Sequence, residues 1–242
     1  MSDISTIPAA ILAGGLATRL RPVTQTTPKA LLPVGGKPFI DHQLELFHRN
    51  GIRKVVFCLG HLGELVEQHV GNGRSFGVEA QFSFDGDQLL GTGGAIRRAL
   101  PMLGELFWIM YGDSYMEIDY RKVLAAFDAH PEALGLMTVL RNDGQWDKSN
   151  AQFEGGRLLR YDKKNPAPAM RYIDYGVAIL RRKAAERIPA GKSDLADLYT
   201  AMVAAGEMIG CEVHNRFYEI GTPQSLAEAD AYLAGRNRGT RH

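Results

Sequence analysis

Between residues 9 and 140, short apolar runs alternate with segments of helical spacing, and no other feature restricts the possible fold as far. The runs at 9–13, 54–59, 78–84, 106–111 and 133–140 predict strands. The segments at 39–49, 62–70, 91–100 and 120–129 predict helices. In the first of these, Phe39, Ile40, Leu44, Leu46 and Phe47 supply the apolar positions, and Asn50-Gly51 is a good stop. Gly71-Asn72-Gly73 ends the second and Pro101 closes the third. A strand–helix alternation of this kind predicts an α/β fold with a mostly parallel sheet and helices on both faces. Ligands of such sheets bind beyond the carboxyl ends of the strands, which here points to Gly14-Gly15 and to Asp113.

The second half changes character. Residues 151–160 predict two short strands around Glu154-Gly155-Gly156, 173–180 a strand, and 195–205 a helix capped by Ser193 or Asp194. Short strands at 211–214 and 217–219 and a closing helix at 222–233, with Pro223 in its first turn, complete the chain. No internal repeat or low-complexity linker interrupts it.

With 242 residues and 45% apolar content, the chain can bury a full core as one domain spanning 1–242. Its formal net charge of +1 offers no global field for nucleic acid or an anionic membrane, so an anion site has to be local. Cys58 and Cys211 lie far apart in apolar surroundings and are expected to be reduced. The first eight residues show no signal-peptide pattern, and no apolar run approaches the ~20 residues that span a bilayer. A cytoplasmic protein without membrane or nucleic-acid partners is expected, with a disordered tail from about residue 235.

The loop after the first predicted strand reads Leu12-Ala13-Gly14-Gly15-Leu16-Ala17-Thr18-Arg19-Leu20-Arg21-Pro22, then reaches Pro28-Lys29, Leu32-Pro33-Val34 and Lys37-Pro38. Two glycines let backbone N–H groups approach an anion, and Arg19, Arg21 and Lys29 add charge with no acidic residue among them. Pro22 and Pro28 stiffen the loop. A glycine turn with a solvated basic loop would share some of these features.

Taken together, the stretch resembles the signature of the sugar-1-phosphate nucleotidyltransferases, the NDP-sugar pyrophosphorylases. Ala17 departs from it, standing where the family usually has glycine, which bears on loop geometry. The resemblance runs from Ala9 to about Leu233. It implies a Rossmann-like nucleotide-diphospho-sugar transferase fold and the joining of a nucleoside triphosphate to a sugar 1-phosphate, with Mg²⁺ as cofactor. It also implies nucleotide contacts from Leu12, Ala13, Gly14, Gly15 and the turn Gly91-Thr92-Gly93, with Arg19, Lys29 and Asp113 as the catalytic residues. Asp113 and Glu219 would bind the metal, Glu219 replacing the family's usual Asp in Glu219-Ile220-Gly221-Thr222-Pro223. Asp162-Lys163, where the family has Glu-Lys, and Tyr175-Gly176 would line the sugar site.

Read without the resemblance, Asp113 at the end of an apolar strand suits either a helix cap or a hard-cation ligand, and Lys163 suits a solvated loop. The stretch from Gly91 to Ile96 lacks the third glycine of a dinucleotide fingerprint, and Gly191-Lys192-Ser193 lacks the first glycine of a P-loop, which is Glu186 here. No histidine pair has metal-ligand spacing. The turns around Gly91 and Glu219 are most similar to those of short guanylyltransferases acting on D-glycero-D-manno-heptose 1-phosphate. Uridylyltransferases acting on N-acetylmuramate 1-phosphate follow closely. A catalytically silent nucleotide-sugar sensor could dispense with Arg19, Lys29 and Asp113, all of which are present, and a molybdopterin nucleotidyltransferase fits the Leu20-Arg21-Pro22 and Pro28-Lys29 spacing less well.

Overall fold

A computed structural model of the chain describes residues 2–239. It opens with β1 (Ala9–Leu12), a long loop containing the hairpin β2 (Pro33–Val34) and β3 (Lys37–Pro38), and α1 (Phe39–Arg49). Next come β4 (Lys54–Leu59), α2 (Gly63–Val70), β5 (Glu79–Phe84), α3 (Gly91–Leu103), β6 (Leu106–Tyr111), β7 (Ser114–Tyr115), α4 (Tyr120–Asp128) and β8 (Gly135–Arg141). The remainder is β9 (Ala151–Glu154), β10 (Arg157–Tyr161), β11 (Tyr172–Arg181), α5 (Arg182–Ala185), α6 (Leu195–Ala204), β12 (Met208–Val213), β13 (Tyr218–Glu219) and α7 (Pro223–Gly239).

Strands β5, β4, β1 and β6 pair in that order, all parallel. Antiparallel to β6 lies β11, whose other edge takes β8, which in turn pairs parallel with β12. The β9–β10 hairpin attaches to the start of β11 through Tyr172 and Ala151. The order therefore reverses at β1, where β4 departs to one side and β6 to the other.

Alternation along the strands decides which face each side chain serves. Ala9 and Ile11 of β1, Val55, Phe57 and Leu59 of β4, and Trp108 and Met110 of β6 pack with α1, α2, α4 and α7. The intervening Ala10, Val56, Cys58, Phe107 and Ile109 pack with α3, α5 and α6. Both faces are covered, which explains why these strands read as continuous apolar runs rather than alternating ones.

Two expectations are corrected. Helix α3 does not end at Pro101 but passes through it to Leu103. Proline in a last turn sacrifices only one backbone hydrogen bond, and Leu103 is fully buried beyond it. Likewise α7 runs to Gly239, so the tail expected from about residue 235 is helical that far. Ala229 and Leu233 bury its inner face and Arg236 pairs with Glu117. Residues 240–242 lie outside the described residues.

Candidate active site

At the reversal point, the ends of β1, β4 and β6 open into a cleft of about 260 Å³ lined by Leu12, Ala13, Gly14, Gly15, Lys29 and Asp113 and by residues of the β5–α3 connection. Close backbone approach forms its floor. Ala13 N–H donates to Cys58 O at 2.9 Å and Gly112 N–H to Leu12 O at 3.0 Å. A Cβ on Gly60 would lie 2.6 Å from Gly14 O, so β1 and β4 can leave the sheet this close together only with glycine there. Ala17 adopts a left-handed backbone at φ +47°, the geometry for which glycine is the usual choice, and Thr24 Oγ1 donates to its carbonyl at 2.9 Å.

Lys29 stands in a short 3-10 turn after Pro28, and its Nζ reaches Asp113 Oδ2 at 2.7 Å across 84 positions of sequence. Asp113 follows β6 directly, with Ser114 Oγ donating to its other oxygen at 3.2 Å. The short ladder between β13 and β7 sets Glu219 opposite Ser114, and Ile220 N–H donates to Asp113 O at 2.9 Å. Burial and then the Asp113 charge push the Glu219 carboxyl above its ordinary range, while Arg19 and Lys29 oppose the shift. Arg19 sits on the outer side: a Cβ on Gly221 would lie 3.0 Å from Arg19 Nη2 and 3.3 Å from Glu219 Oε1. Two neighbouring carboxylates, with the Asp113 charge opposing ionisation of Glu219, offer oxygen-only donors that fit a hard cation such as Mg²⁺. Among the described residues no group of three or more His, Cys, Asp and Glu side chains could hold a metal ion, so such a cation would take its remaining oxygens from ligand and water.

A family model described as "Nucleotidyl transferase" matches residues 8–235. The chain belongs to this nucleotidyl transferase family. It is 31% identical over 240 residues to the N-acetylmuramate alpha-1-phosphate uridylyltransferase of Neisseria meningitidis, covering 94% of this chain and 98% of the relative. It is 26% identical to the mannose-1-phosphate guanylyltransferase of Mycobacterium tuberculosis, covering 94% of this chain but 64% of that enzyme. A solved Bacillus anthracis structure assigned as a glucose-1-phosphate thymidylyltransferase superposes with a TM-score of 0.84 at 24% identity, over 94% of this chain and 95% of that one, and shares its fold. No helix among the described residues is long and apolar enough to cross a membrane.

In this nucleotidyl transferase the turn before α3 is built differently from the sequence expectation. Gly91 and Thr92 border the cleft, but Gly93 is buried and its N–H donates to Ser193 O at 3.0 Å. Gly94 N–H reaches the same carbonyl at 3.4 Å. Two of the four orphan donors of the α3 N-terminus are thus satisfied by the loop before α6, and the Gly93 N–H is already engaged there. In return Thr92 Oγ1 accepts from Leu195 N–H at 2.9 Å and donates to Asp194 Oδ1 at 3.0 Å, so the two helices cap one another. Gly91 must be glycine, having φ +71° and Ser193 O only 2.6 Å from where its Cβ would stand.

The expected sugar-site residues also divide. Asp162 folds onto its own loop, accepting from Lys164 N–H at 3.0 Å and Asn165 N–H at 2.8 Å, and so acts as a turn-former. Lys163 is exposed, and its charge favours the ionised forms of Asp174 and Asp194. Tyr175 is 2% exposed, turned into the core against Phe217, and is not among the residues that line the cleft. Gly176, at φ +97°, packs against Tyr111, a wall of the cleft, at the point where the register of β11 shifts.

Two residues go beyond the sequence reading. Asp174 is only partly exposed, and burial raises its carboxyl to about 6 despite hydrogen bonds from Gly176 N–H and the Tyr161 hydroxyl and the nearby Lys163 charge. Asp85 is 7% exposed and lines the cleft, its Oδ2 accepting from Leu90 N–H at 3.0 Å. Burial raises its carboxyl, opposed by the Leu90 N–H and by Arg98. Cys58, beside it, has its thiol pushed up to about 12 by burial and by the Asp85 charge, and is inert. An acidic residue closing a strand that ends in this cleft was the available signal for Asp85.

Proposed function

We propose that the chain transfers the nucleoside monophosphate of GTP to D-glycero-D-manno-heptose 1-phosphate and releases pyrophosphate. The observation that carries nucleotidyl transfer is the convergence of Lys29, Asp113, Glu219 and Arg19 at the open edge of a glycine-floored cleft. A phosphate oxygen of the sugar 1-phosphate attacks the α-phosphorus, the bond from that phosphorus to the bridging oxygen breaks, and the electron pair leaves with pyrophosphate. No covalent intermediate with the protein is needed. Asp113 and Glu219 would hold Mg²⁺, which would supply positive charge to neutralise the phosphates. Lys29 stabilises charge on the α-phosphate, Arg19 holds the leaving pyrophosphate, and Lys163 attracts the incoming sugar phosphate.

Asp85 supports the choice of base. An ionised carboxylate in the cleft accepts a hydrogen bond from the imino N–H of guanine or uracil, whereas the corresponding nitrogens of adenine and cytosine are acceptors and would face it lone pair to lone pair. Guanine is favoured over uracil by the similarity of the Gly91 and Glu219 turns to those of the heptose enzymes. A second reading, UTP with N-acetylmuramate 1-phosphate, is favoured by the full-length relative from Neisseria meningitidis. Pyrophosphate release measured for four nucleoside triphosphates against a panel of sugar 1-phosphates tests both. A higher specificity constant for UTP than for GTP with every sugar overturns the first reading, and no release from any pair overturns nucleotidyl transfer.

A further inference from the structure

Helix α1 contributes no residue to the lining of the cleft, yet its buried face is not wholly apolar. Phe39, Ile40, Leu44, Leu46 and Phe47 carry the packing, while their neighbours His42 and Gln43 are polar and only 5% and 1% exposed. Burying polar side chains is unfavourable unless they find partners, so the groups these two touch indicate their use.

His42 Nε2–H donates to Val34 O at 2.7 Å, in the hairpin that follows the turn of Lys29. Phe39 N–H donates to Leu32 O at 3.0 Å in the same segment. Gln43 reaches the other half of the site. Its Nε2, which carries two hydrogens, donates to Tyr111 O at 3.0 Å and to Ser114 O at 2.7 Å. These carbonyls stand two positions before Asp113 and one after it, so a single amide spans the turn between β6 and β7. Reversing the amide would set its oxygen against both carbonyls, which leaves only the donating orientation. Gln43 Oε1 is buried with no hydrogen-bond partner among the described residues, a penalty that an apolar side chain would avoid.

The sheet is secured without that span, because β6 is paired with both β1 and β11 and Gly112 N–H is bound to Leu12 O. The turn is a different matter, since its side chains belong to the site. Asp113 Oδ2 receives Lys29 Nζ at 2.7 Å, and Ser114, whose carbonyl Gln43 holds, lies opposite Glu219 in the β13–β7 ladder. We infer that Gln43 is a positioning residue for the reaction: by gripping the main chain on both sides of Asp113, it fixes where that carboxylate stands relative to Lys29 and Glu219. With His42 anchoring the Lys29 segment, α1 refers both loops to one rigid element. The inference rests on the nucleotidyl-transfer reading and on Asp113 as a metal-holding carboxylate.

Gln43→Met keeps the volume and removes both donors, and Gln43→Glu keeps the shape and, when ionised, also donates nothing. Assayed well below the unfolding midpoint, either variant should lose roughly 10- to 100-fold in kcat with a smaller change in the KM for the triphosphate. Mn²⁺ alone, titrated by electron paramagnetic resonance, should bind the wild type at a site that Asp113→Asn abolishes, and the Gln43 variants should raise its dissociation constant roughly tenfold. A residue that only supports the fold would lower the unfolding midpoint and leave kcat and Mn²⁺ affinity of the folded protein unchanged; either unchanged value overturns the inference. Failure of both variants to fold also overturns it, as does the absence of a wild-type Mn²⁺ site that depends on Asp113. No pyrophosphate release by the wild type with any pair of nucleoside triphosphate and sugar 1-phosphate overturns nucleotidyl transfer, and the Mn²⁺ titration then still decides whether Gln43 places Asp113.

Discussion

Replacing Asp85 by asparagine separates base recognition from every other property of the cleft. The side chain keeps its shape and can still accept Leu90 N–H, the bond now 3.0 Å long, so the β5–α3 connection should hold. What changes is the group offered to the base: a carboxylate, acceptor only, becomes an amide that also donates. A hydrogen bond to a charged group contributes roughly 1.5–3 kcal/mol. At about 1.4 kcal/mol per factor of ten, kcat/KM for GTP and UTP should fall by about 10- to 100-fold. ATP and CTP, whose ring nitrogens can accept from an amide, should lose less or gain. A coupled pyrophosphate assay with each triphosphate at saturating sugar phosphate reads this directly. The same group predicts a pH dependence. Burial lifts the Asp85 carboxyl above the usual carboxylate range, so as pH falls it takes up a proton sooner than an exposed aspartate. The protonated acid donates where the imino N–H also donates, so kcat/KM for GTP should drop on acidification, and Asp85→Asn should lack that limb. Equal losses for all four triphosphates, or an acid limb unchanged in the variant, would refute the assignment.

Three further outcomes follow from the site and its supports. Lys29→Ala should lower kcat by roughly 10²–10³ with a smaller change in the KM for the triphosphate, and Lys29→Arg should recover only part, because a planar fork does not replace a compact ammonium; an unchanged kcat with a raised KM would make Lys29 a docking group. Excess EDTA should abolish turnover and added Mg²⁺ restore it, with Asp113→Asn losing most activity while its circular dichroism and unfolding midpoint stay near those of the wild type; full activity in EDTA would exclude a metal requirement. Thr92→Val should leave Leu195 N–H without its partner at a cost of about 1–3 kcal/mol, lowering Tm by about 2–4 °C for each kcal/mol, and an unchanged Tm would show that the mutual capping of α3 and α6 contributes nothing.

How far the sequence reveals this protein depends on the range of the interactions that decide each part. The bounds of α1, β4 and β6 agree residue for residue with the apolar spacing, because packing on two covered sheet faces and local end signals act within one element. The cleft is also legible, since a parallel sheet fixes where strand ends meet, and Gly14, Gly15, Lys29 and Asp113 are found there together. What short-range pattern cannot express is partnership across the chain. Ser193 caps α3 from about a hundred residues away, so Gly91-Thr92-Gly93-Gly94 reads as an open ligand turn when half its donors are already engaged. Tyr175 reads as a pocket residue, yet the strand carrying it turns its ring inward and leaves its neighbour Asp174 beside Lys163 and Tyr161. Asp162 reads as half of a substrate-binding pair, but two backbone N–H groups one turn ahead claim its oxygen first. At Gly93 and Asp162 the polar group has a finite hydrogen-bonding capacity, and partners outside the motif already engage it. A motif therefore locates the chemistry of a site more reliably than it distributes that chemistry among its residues, and Asp85, a walled-in carboxylate belonging to no motif, is the complementary case.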